Sequence, residues 1–411
     1  MKLNRTPCLA AAFLLAALSA RALDFGLALN QELRTSNETA DAAFFCGPAL
    51  NPWVSGPLGD AFHLHLSGKI SFEYSGVPEG ESAWREPAAL PELERSELIW
   101  LVSPSLSLGL GRRRLQDPAG LAASGLFDGL GAAFSAGGSR FSAGFWYTGL
   151  LYKNAADIVM TDRDREEYLK PPALDGTYFA SRRVLVSFEW ENPGLGPRSS
   201  LALGALGQFD VNGGDERLHS QYLSARYGLR LSAGAGLEAA AVLGAGEAGG
   251  GDAGVFFAGL LGWNQALPGG PDDRVSVRVL YSSPSNGERL FAFTPVNSLP
   301  QGRVFSPALS GLSSVRAAYG LRPRPVLFLE AEFSWFIRTD TVSFQDGREP
   351  ERLKGEGYNL GGEFFCTARW TPLPDLALDL GGGAFFPGPG DAFEPEAGIR
   401  WKAVLELVLS F

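Results

Sequence analysis

Apolar and polar residues alternate along this chain in repeated segments of roughly ten residues, and this pattern constrains the fold more than any other feature. In FHLHLSGKISFEY (62–74), for example, Leu64, Leu66 and Ile70 alternate with polar residues such as Lys69. Because successive side chains of a β-strand point to opposite faces, each segment predicts a strand with one apolar and one polar face. The same alternation occurs in LSARYGLRL (223–231), RVSVRVLY (274–281), LFLEAEFSWFIR (327–338) and RWKAVLELVLSF (400–411).

The length of these segments separates them from the strands of soluble β-sandwiches, which are typically about 5–6 residues long. It matches instead a tilted strand that crosses a bilayer. Charged residues occupy mid-strand positions on the polar faces, so the apolar faces are predicted to contact lipid. Tryptophans at the strand ends are expected to form the interfacial girdle of such a surface. The tryptophans within or at the ends of these segments are Trp100, Trp146, Trp190, Trp263, Trp335, Trp370 and Trp401.

Short and long connections alternate between the predicted strands. The short turns lie at 103–105, 136–139, 192–197, 232–236, 322–325 and 371–375, and the longer polar connections near 75–94, 152–181, 283–313, 339–356 and 387–398. The alternation is complete only if AFFCGPALNPWV (43–54) forms one more strand, despite Pro48 and Pro52. The sequence therefore predicts an all-β fold, a transmembrane antiparallel β-barrel of about 18 strands with short periplasmic turns and long external loops. A barrel of about 16 strands is the alternative.

The C-terminal segment carries a more specific pattern. Its final strand ends on an aromatic ring after alternating apolar residues, and this resembles the C-terminal signature of bacterial outer-membrane β-barrels, which include porins. The residues that match are Trp401, Leu405, Leu407, Leu409 and Phe411. The resemblance implies that the barrel-assembly machinery reads this strand and that the last strand pairs with the first to close the barrel.

A second, looser resemblance is to the alginate-export family of outer-membrane barrels. LGLGRRRLQDPAGLAASGLFDGLGAAFSAGG (108–138) is similar to a strand pair of that family with a Gly-Arg signature, and Arg113 departs from the polar residue that would follow the pair. The segment 289–340 is similar to a later part, where an external loop leads into two long strands. The resemblance implies a conduit of roughly 18 strands for anionic polysaccharide or related solutes.

The N-terminal 22 residues have the layout of a secretory signal peptide. Lys2 and Arg5 precede the apolar run CLAAAFLLAAL, and Ala20–Ala22 gives an Ala-x-Ala cleavage site. The run is shorter than the ~20 residues of a membrane-spanning helix. We expect residues 1–22 to be removed on export and residues 23–411 to form one barrel in the outer membrane of a diderm bacterium. Loss of Lys2, Arg5 and Arg21 changes the net charge from −10 to −13, which argues against a nucleic-acid partner.

The polar faces supply the candidate functional residues. If the apolar faces contact lipid, the charged side chains line an interior too wide to be filled by side chains. The predicted pore-lining and selectivity residues are Lys69, Arg226, Arg230, Arg274, Arg278, Arg316, Glu330, Glu332 and Arg369. Rings of charge filter solutes by their charge, and arginine suits carboxylate and phosphate groups. The alternative is that these charges pair across strands and only stabilise the wall.

Signals for an enzyme are weak. His63 and His65 lie two apart on one strand face without an evident third metal ligand, and no serine near a histidine has features of a hydrolase nucleophile. We predict no catalytic residue, metal or cofactor. Cys46 and Cys366 are expected to be two separate thiols rather than a disulfide, although export permits one.

These observations predict a porin-like channel that passes small hydrophilic, anionic solutes by diffusion. The expected partners are outer-membrane lipid, the barrel-assembly machinery and the solute. The competing prediction is a plugged barrel that acts as a surface adhesin or structural protein. The sequence leaves open whether a loop occludes the interior, although the charged segment DRDREEYLK (162–170) predicts a short helix on an external loop that either faces solvent or folds back into the pore.

Overall fold

A computed structural model of the chain describes most of the predicted barrel. The described residues are 23–37, 43–76, 88–172, 177–213, 216–249, 251, 253–268, 272–286, 290–341, 357–388, 392–393 and 397–411. The expected signal peptide, residues 1–22, lies outside them, and its cleavage stays a prediction. Within the described residues, no helix combines the length and apolarity that crossing a bilayer requires.

The described chain forms eighteen β-strands and two short helices, as the alternating pattern predicts. The strands are β1 (Asp24–Ser36), β2 (Ala43–Leu58), β3 (Phe62–Gly76), β4 (Ala88–Ser103), β5 (Leu106–Gln116), β6 (Ser124–Ala136), β7 (Ser139–Tyr147), β8 (Arg183–Gly196), β9 (Ser199–Asp210), β10 (Leu218–Arg230), β11 (Ala235–Ala248), β12 (Ala253–Ala266), β13 (Arg274–Ser282), β14 (Leu312–Arg324), β15 (Leu327–Arg338), β16 (Asn359–Leu373), β17 (Leu376–Pro387) and β18 (Arg400–Ser410). The helices, α1 (Lys153–Ala156) and α2 (Asp162–Leu169), lie between β7 and β8.

Each strand pairs antiparallel with the next one along the chain, and β18 pairs with β1, so the sheet closes into a barrel. The closing register runs from Ala28 opposite Ser410 to Ser36 opposite Lys402. Phe411 continues it, because its N–H donates to the Leu27 carbonyl at 2.9 Å. A closed sheet leaves no strand edge unpaired, which a membrane requires.

The weakest strand prediction is confirmed, since 43–54 lies within β2. Pro48 and Pro52 are in register with Gln31 and Leu27 of β1, and each costs the ladder one N–H donor without interrupting the strand. With β2 in place, the first described residue, the C-terminal Phe411 and the tight turns of the described chain lie at one end of the barrel. The long connections lie at the other end, which we take as external. The predicted connection at 75–94 is shorter than expected, because β3 continues to Gly76 and β4 starts at Ala88.

The outer surface of the barrel is apolar at mid-strand. Leu110, Leu223 and Leu261 all point outward, and each has more than half of its surface exposed. Tryptophans of the predicted girdle, such as Trp100 and Trp370, lie exposed on this same face. This band is the lipid-facing surface that the sequence predicts.

Trp146 is the exception, and its place in the girdle was wrongly predicted. Its position in β7 points its side chain into the barrel, where the residue is only 5% exposed. Its indole N–H donates to Ser187 Oγ at 2.9 Å. A Cβ added at Gly144 would lie 2.5 Å from the indole ring, so the glycine makes room for Trp146 inside the barrel.

Replacing Leu261 by arginine is expected to destabilise the barrel by about 2–4 kcal/mol, because a charge near the bilayer midplane loses its hydration. Leu261 lies near the middle of β12 and is 64% exposed on the outer face. Gly262→Arg is the matched control: this residue points inward, and a Cβ added there meets no atom closer than 3.6 Å. Urea unfolding in lipid vesicles measures both variants, and equal losses would contradict the assignment of faces.

The buried apolar residues lie inside the barrel, between its wall and the external loops. One cluster joins Phe256 and Tyr222 of the wall to Phe293, Val296 and Leu121 of two loops. A second cluster joins Phe336 and Phe385 of the wall to Val304, Phe305 and Phe393 of two loops. The loops are therefore folded into the lumen, a feature that the sequence left open.

Candidate functional site: the barrel interior

The nine predicted pore-lining residues lie at inward positions of their strands. On β10, for instance, Ser220, Tyr222 and Ser224 are buried by the interior, whereas Leu223 and Tyr227 are exposed on the outer face. Arg226 and Arg230 continue the inward series. On β13, Arg274 and Arg278 alternate with outward valines such as Val279 in the same way.

Several of these charges are paired across strands. Their partners are Glu238 for Arg226 (Nε to Oε1, 2.8 Å), Glu330 for Arg274 (Nη2 to Oε2, 3.8 Å), Glu332 for Arg316 (Nε to Oε1, 3.4 Å) and Asp379 for Arg369 (Nε to Oδ1, 2.7 Å). Lys69 lies opposite Glu92 in the β3–β4 register. For this group the pairing is the arrangement expected if the charges stabilise the wall.

Arg278 and Arg230 are different, since among the described residues neither has a carboxylate within salt-bridge distance. Arg278 lies directly opposite Arg316 in the β13–β14 register, so two guanidinium groups face the interior side by side. Like charges directly opposite each other destabilise a sheet. Of the two, only Arg316 is bonded to a carboxylate, that of Glu332, and its guanidinium also donates to the Gln301 carbonyl. The β13–β14 wall thus presents an excess of positive charge to the lumen.

The described residues of the connection 283–311 lie in the lumen. Near its start, Phe293 packs edge-on against Phe256 of β12, and Tyr222 of β10 donates its hydroxyl to the Thr294 carbonyl at 2.7 Å. At its middle, Asn297 ties this loop to the connection 148–182 and to the start of β6: its amide donates to the Ala156 carbonyl at 2.7 Å and accepts from the Ser124 N–H at 3.0 Å. This loop is anchored to the wall on the β10–β12 side.

The far end of the same loop is held by Glu363 of β16. The Glu363 carboxylate accepts the backbone N–H groups of Arg303, Val304 and Phe305, each at 2.8 Å. Lys402 donates its ammonium to the Arg303 carbonyl at 3.0 Å. We call this set of contacts, Glu363 and Lys402 on residues 303–305, the clasp. It fixes the loop against β16 and β18, several strands away from its first anchor.

The connection 148–182 is also fixed inside the external mouth. Helix α2 is the helix predicted for 162–170, and Thr161 and Asp164 form a capping box at its start. Asp164 turns inward, where Arg183 binds both Asp164 and Asp210 in a fully buried ion network. The loop therefore folds back into the barrel, one of the two outcomes left open by the sequence.

Buried Lys153 closes the same loop on itself. Its ammonium donates to the carbonyls of Glu167 and Lys170, at the end of α2, with the Glu167 bond at 2.7 Å. Burial lowers the pKa of Lys153, assisted by repulsion from Lys170 and opposed by the Glu167 carboxylate. Cations at a helix C-terminus stabilise it through the helix dipole.

Space remains beside the loops. A pocket of 340 Å³ lies between the inner face of β5–β10 and the connection 117–123, which reaches across to β9 at Gly204. Arg113, Arg140 and Glu189 are among its charged lining residues. Among the described residues, space therefore remains between this connection and the inner wall.

The remaining candidates take no part in this interior site. His63 and His65 face inward on β3, and the described residues contain no group of three or more His, Cys, Asp or Glu that could hold a metal ion. Cys46 and Cys366 are both free, as predicted, and Cys366 is exposed. The contacts that sequence reasoning missed are those of Asn297 and Arg183, and no local pattern marks either residue.

No family model matches the sequence, and no curated protein matches it either. Solved structures do match the fold. OpdQ of Pseudomonas aeruginosa superposes with a TM-score of 0.60 at 10% identity, covering 95% of this chain and 98% of its own. OccK5 (OpdH) of P. aeruginosa gives a TM-score of 0.58 at 11% identity, covering 95% and 98%. OccAB1 of Acinetobacter baumannii gives 0.58 at 10% identity, covering 95% and 96%.

These structures are outer-membrane porins of the OprD/Occ group. The chain has the fold of an outer-membrane porin. The closed sheet and the apolar outer band are the features that a β-barrel needs to span a bilayer. The looser resemblance to the alginate-export family stays a prediction, since no family model matches.

Proposed function

We propose that this barrel is a passive, non-enzymatic channel for small hydrophilic solutes, with a preference for anions. The observation that carries the proposal is the pair Arg278 and Arg316, two inward arginines in direct register, of which only Arg316 is bonded to a carboxylate. Arginine in a wetted lumen attracts anions and binds carboxylate or phosphate by paired hydrogen bonds. The fold supports a channel, and the charge supports its preference.

The loops that enter the lumen set the selectivity of this proposed channel. The connections 148–182 and 283–311 meet at Asn297 and Ala156, so together they narrow the passage above the arginines. Solutes that enter from outside pass the loops before they reach Arg278. The loops then limit the size of the solutes that pass, and the arginines of the wall select the solutes by charge.

The inward loops also favour a second candidate, the plugged barrel. Two apolar clusters bind them to the wall, and a barrel closed in this way would work through its external surface. Conductance in planar lipid bilayers separates the two: stepwise openings support the channel, and silence at high protein load supports the plug.

Replacing Arg278 by serine is expected to shift the reversal potential in a salt gradient away from anion preference. One charge facing water at about 4 Å contributes about 1 kcal/mol, or roughly fivefold in the anion-to-cation permeability ratio. Arg163→Ser on α2 removes the same charge outside the strands and is the matched control. An unchanged reversal potential in Arg278→Ser removes this residue from the selectivity argument.

We further propose that the chain is exported through its N-terminal segment and folded by the barrel-assembly machinery through Trp401, Leu405, Leu407, Leu409 and Phe411. In support, β18 presents its apolar residues outward and Phe411 is exposed beside β1. Deletion of Phe411 should lower the amount of folded barrel in the outer membrane while leaving refolding in detergent intact. Equal amounts in the membrane would contradict this role.

A further inference from the structure

Two arginines lie at the external rim of the outer face of the barrel. Arg182 directly precedes β8 and Arg217 directly precedes β10, and both side chains are exposed. Arg182 alternates with Arg183, which is buried inside the barrel, and Arg217 is in phase with the outward Leu223. Among the described residues, neither Arg182 nor Arg217 has a carboxylate at salt-bridge distance.

Val211, which follows β9, lies between the two arginines. Its N–H donates to the Arg182 carbonyl at 3.1 Å. The β9–β10 register, extended from Gln208 opposite Ser220, places Arg217 on its other side. Neighbouring strands are about 4.8 Å apart, so the backbones of the two arginines are about 10 Å apart. Both side chains can therefore reach one anionic group between them.

Two polar side chains lie one row closer to the middle of the bilayer. Tyr147 of β7 lies beside Arg182, because a Cβ added at Gly149 would overlap with the Tyr147 hydroxyl and lie 2.9 Å from Arg182 Cγ. The Nδ1 of His219 accepts the Asp210 N–H at 3.1 Å, so the Nε2 of neutral His219 carries a proton that it can donate. Tyrosine on the outer face is typical of the interfacial level, where lipid headgroups lie.

The charge of this part of the outer face is positive. In the described chain, two acidic residues belong to the row of Tyr147 and His219. One of them, Asp128, is bonded to buried Arg112 at 2.8 Å. The other, Glu247 of β11, is the single unpaired carboxylate beside the two arginines of the rim.

An apolar groove of 630 Å³ begins directly below this row, towards the middle of the bilayer, on the outer face of β8–β12. Small residues make it deep: Gly207 and Ala245 flank Gln221 in one row, and Ala205 lies in the next row. Larger apolar side chains line it as well, among them Phe188, Phe209, Leu223 and Leu243. A groove of this kind, on strands that cross the bilayer, fits an acyl chain.

We propose that this surface binds a phosphorylated lipid of the external leaflet, with its phosphate between Arg182 and Arg217 and one acyl chain in the groove. Arginine binds phosphate through paired, charge-assisted hydrogen bonds, and positive charge at a membrane surface attracts anionic headgroups. The whole outer band contacts lipid, but here two arginines lie directly above a groove, so the site selects a lipid by its headgroup. The inference concerns the outer face and is independent of what passes through the barrel.

Native mass spectrometry of the full-length protein in detergent tests the site, with dilauroyl phosphatidic acid and dilauroyl phosphatidylcholine as probes. The two lipids have the same chains, but the phosphate of phosphatidylcholine carries a cationic choline. Phosphatidic acid should bind at least about tenfold more tightly, because its phosphate bonds to the arginines without a repelling charge. Equal affinities overturn the proposal. Binding of inorganic phosphate as tight as that of phosphatidic acid also overturns it, since the groove would then contribute nothing.

Arg182→Ser combined with Arg217→Ser should lower the affinity for phosphatidic acid about tenfold or more, with little effect on phosphatidylcholine. The matched control is Arg322→Ser combined with Arg324→Ser, which removes two exposed charges from the end of β14, at the periplasmic end of the barrel. This control should bind phosphatidic acid as the parent does. Equal losses in the two double variants would attribute the effect to net charge and overturn the proposal, as would unchanged binding in the first.

Ala245→Leu tests the groove, because it adds apolar bulk there without changing the charge. The affinity for phosphatidic acid should fall about fivefold or more, since the acyl chain loses buried apolar surface. An unchanged affinity overturns the proposal. If the parent dimerises without added lipid and Ala245→Leu makes it monomeric, a second copy covers the groove and the proposal is wrong. None of these variants should alter the single-channel conductance, so failure of the channel proposal would leave lipid binding untouched.

Discussion

Replacing Glu363 by alanine is expected to raise the single-channel conductance and its noise, because the far end of the loop 283–311 loses its clasp. The variant removes the acceptor of three backbone N–H groups, those of Arg303, Val304 and Phe305. Hydrogen bonds to a charged group are worth about 1.5–3 kcal/mol each. Loss of even about 3 kcal/mol would shift the docked-to-undocked ratio of the loop by roughly two orders of magnitude.

Two comparisons make the Glu363 experiment specific. Glu363→Gln keeps an acceptor oxygen but no charge, so its conductance should lie between the parent and Glu363→Ala. Glu330→Ala removes the same charge from an inward site on neighbouring β15 that does not contact the loop, and its conductance should stay near the parent value. If Glu330→Ala and Glu363→Ala raise the conductance equally, net charge rather than the clasp explains the effect.

The strand content of this protein could be predicted because its signal is local. A period of two needs only the neighbouring residues, and a bilayer enforces it on every strand. Even β2, which carries Pro48 and Pro52, followed from the need to keep tight turns at one end. The free state of Cys46 and Cys366 followed from their distance in the sequence and their strand-like surroundings.

The interior of the barrel could not be predicted to the same depth. Whether a loop enters the lumen depends on contacts between residues far apart in the chain, such as Asn297 with Ser124 and Ala156. Sequence periodicity carries no information about these pairs. Trp146 shows the same limit within a strand, since its identity suggested the girdle while its phase and the space left by Gly144 place it inside.

The charged candidates show that alternation predicts the face on which a side chain lies but not the residue with which it pairs. All nine were placed on the inner face by alternation, but their partners depend on the register between strands. Arg369 and Asp379 are directly opposite, and so are Arg278 and Arg316. The opposite charges of Arg369 and Asp379 cancel, whereas the like charges of Arg278 and Arg316 add. Register therefore decides which predicted pore residues remain able to act on a solute.

Replacing Arg183 by methionine is expected to release the loop 148–182 from the external mouth. Arg183 is fully buried, binds Asp164 of α2 and lies 3.4 Å from the Asp210 carboxylate. Its removal leaves two buried carboxylates without a cation, and breaking a buried ion pair costs about 3–5 kcal/mol. Undocking of α2 avoids this cost, because it exposes the Asp164 carboxylate to water. The expected result is faster proteolytic cleavage within 148–182, while the barrel itself stays intact on a gel without heating.

A variant that removes all three charges distinguishes the ion network from simple loss of packing. In Arg183→Met combined with Asp164→Asn and Asp210→Asn, no uncompensated charge remains, and replacement of a whole buried ion network is often neutral in stability. Protease resistance should therefore return toward that of the parent, although Asp164 also accepts the Thr161 N–H in the capping box of α2. If the triple variant is cleaved as fast as Arg183→Met, the volume and hydrogen bonds of Arg183, rather than its charge, hold the loop in the mouth. If Arg183→Met is as resistant as the parent, the loop is held by its other contacts, such as the bond from Asn297 to the Ala156 carbonyl.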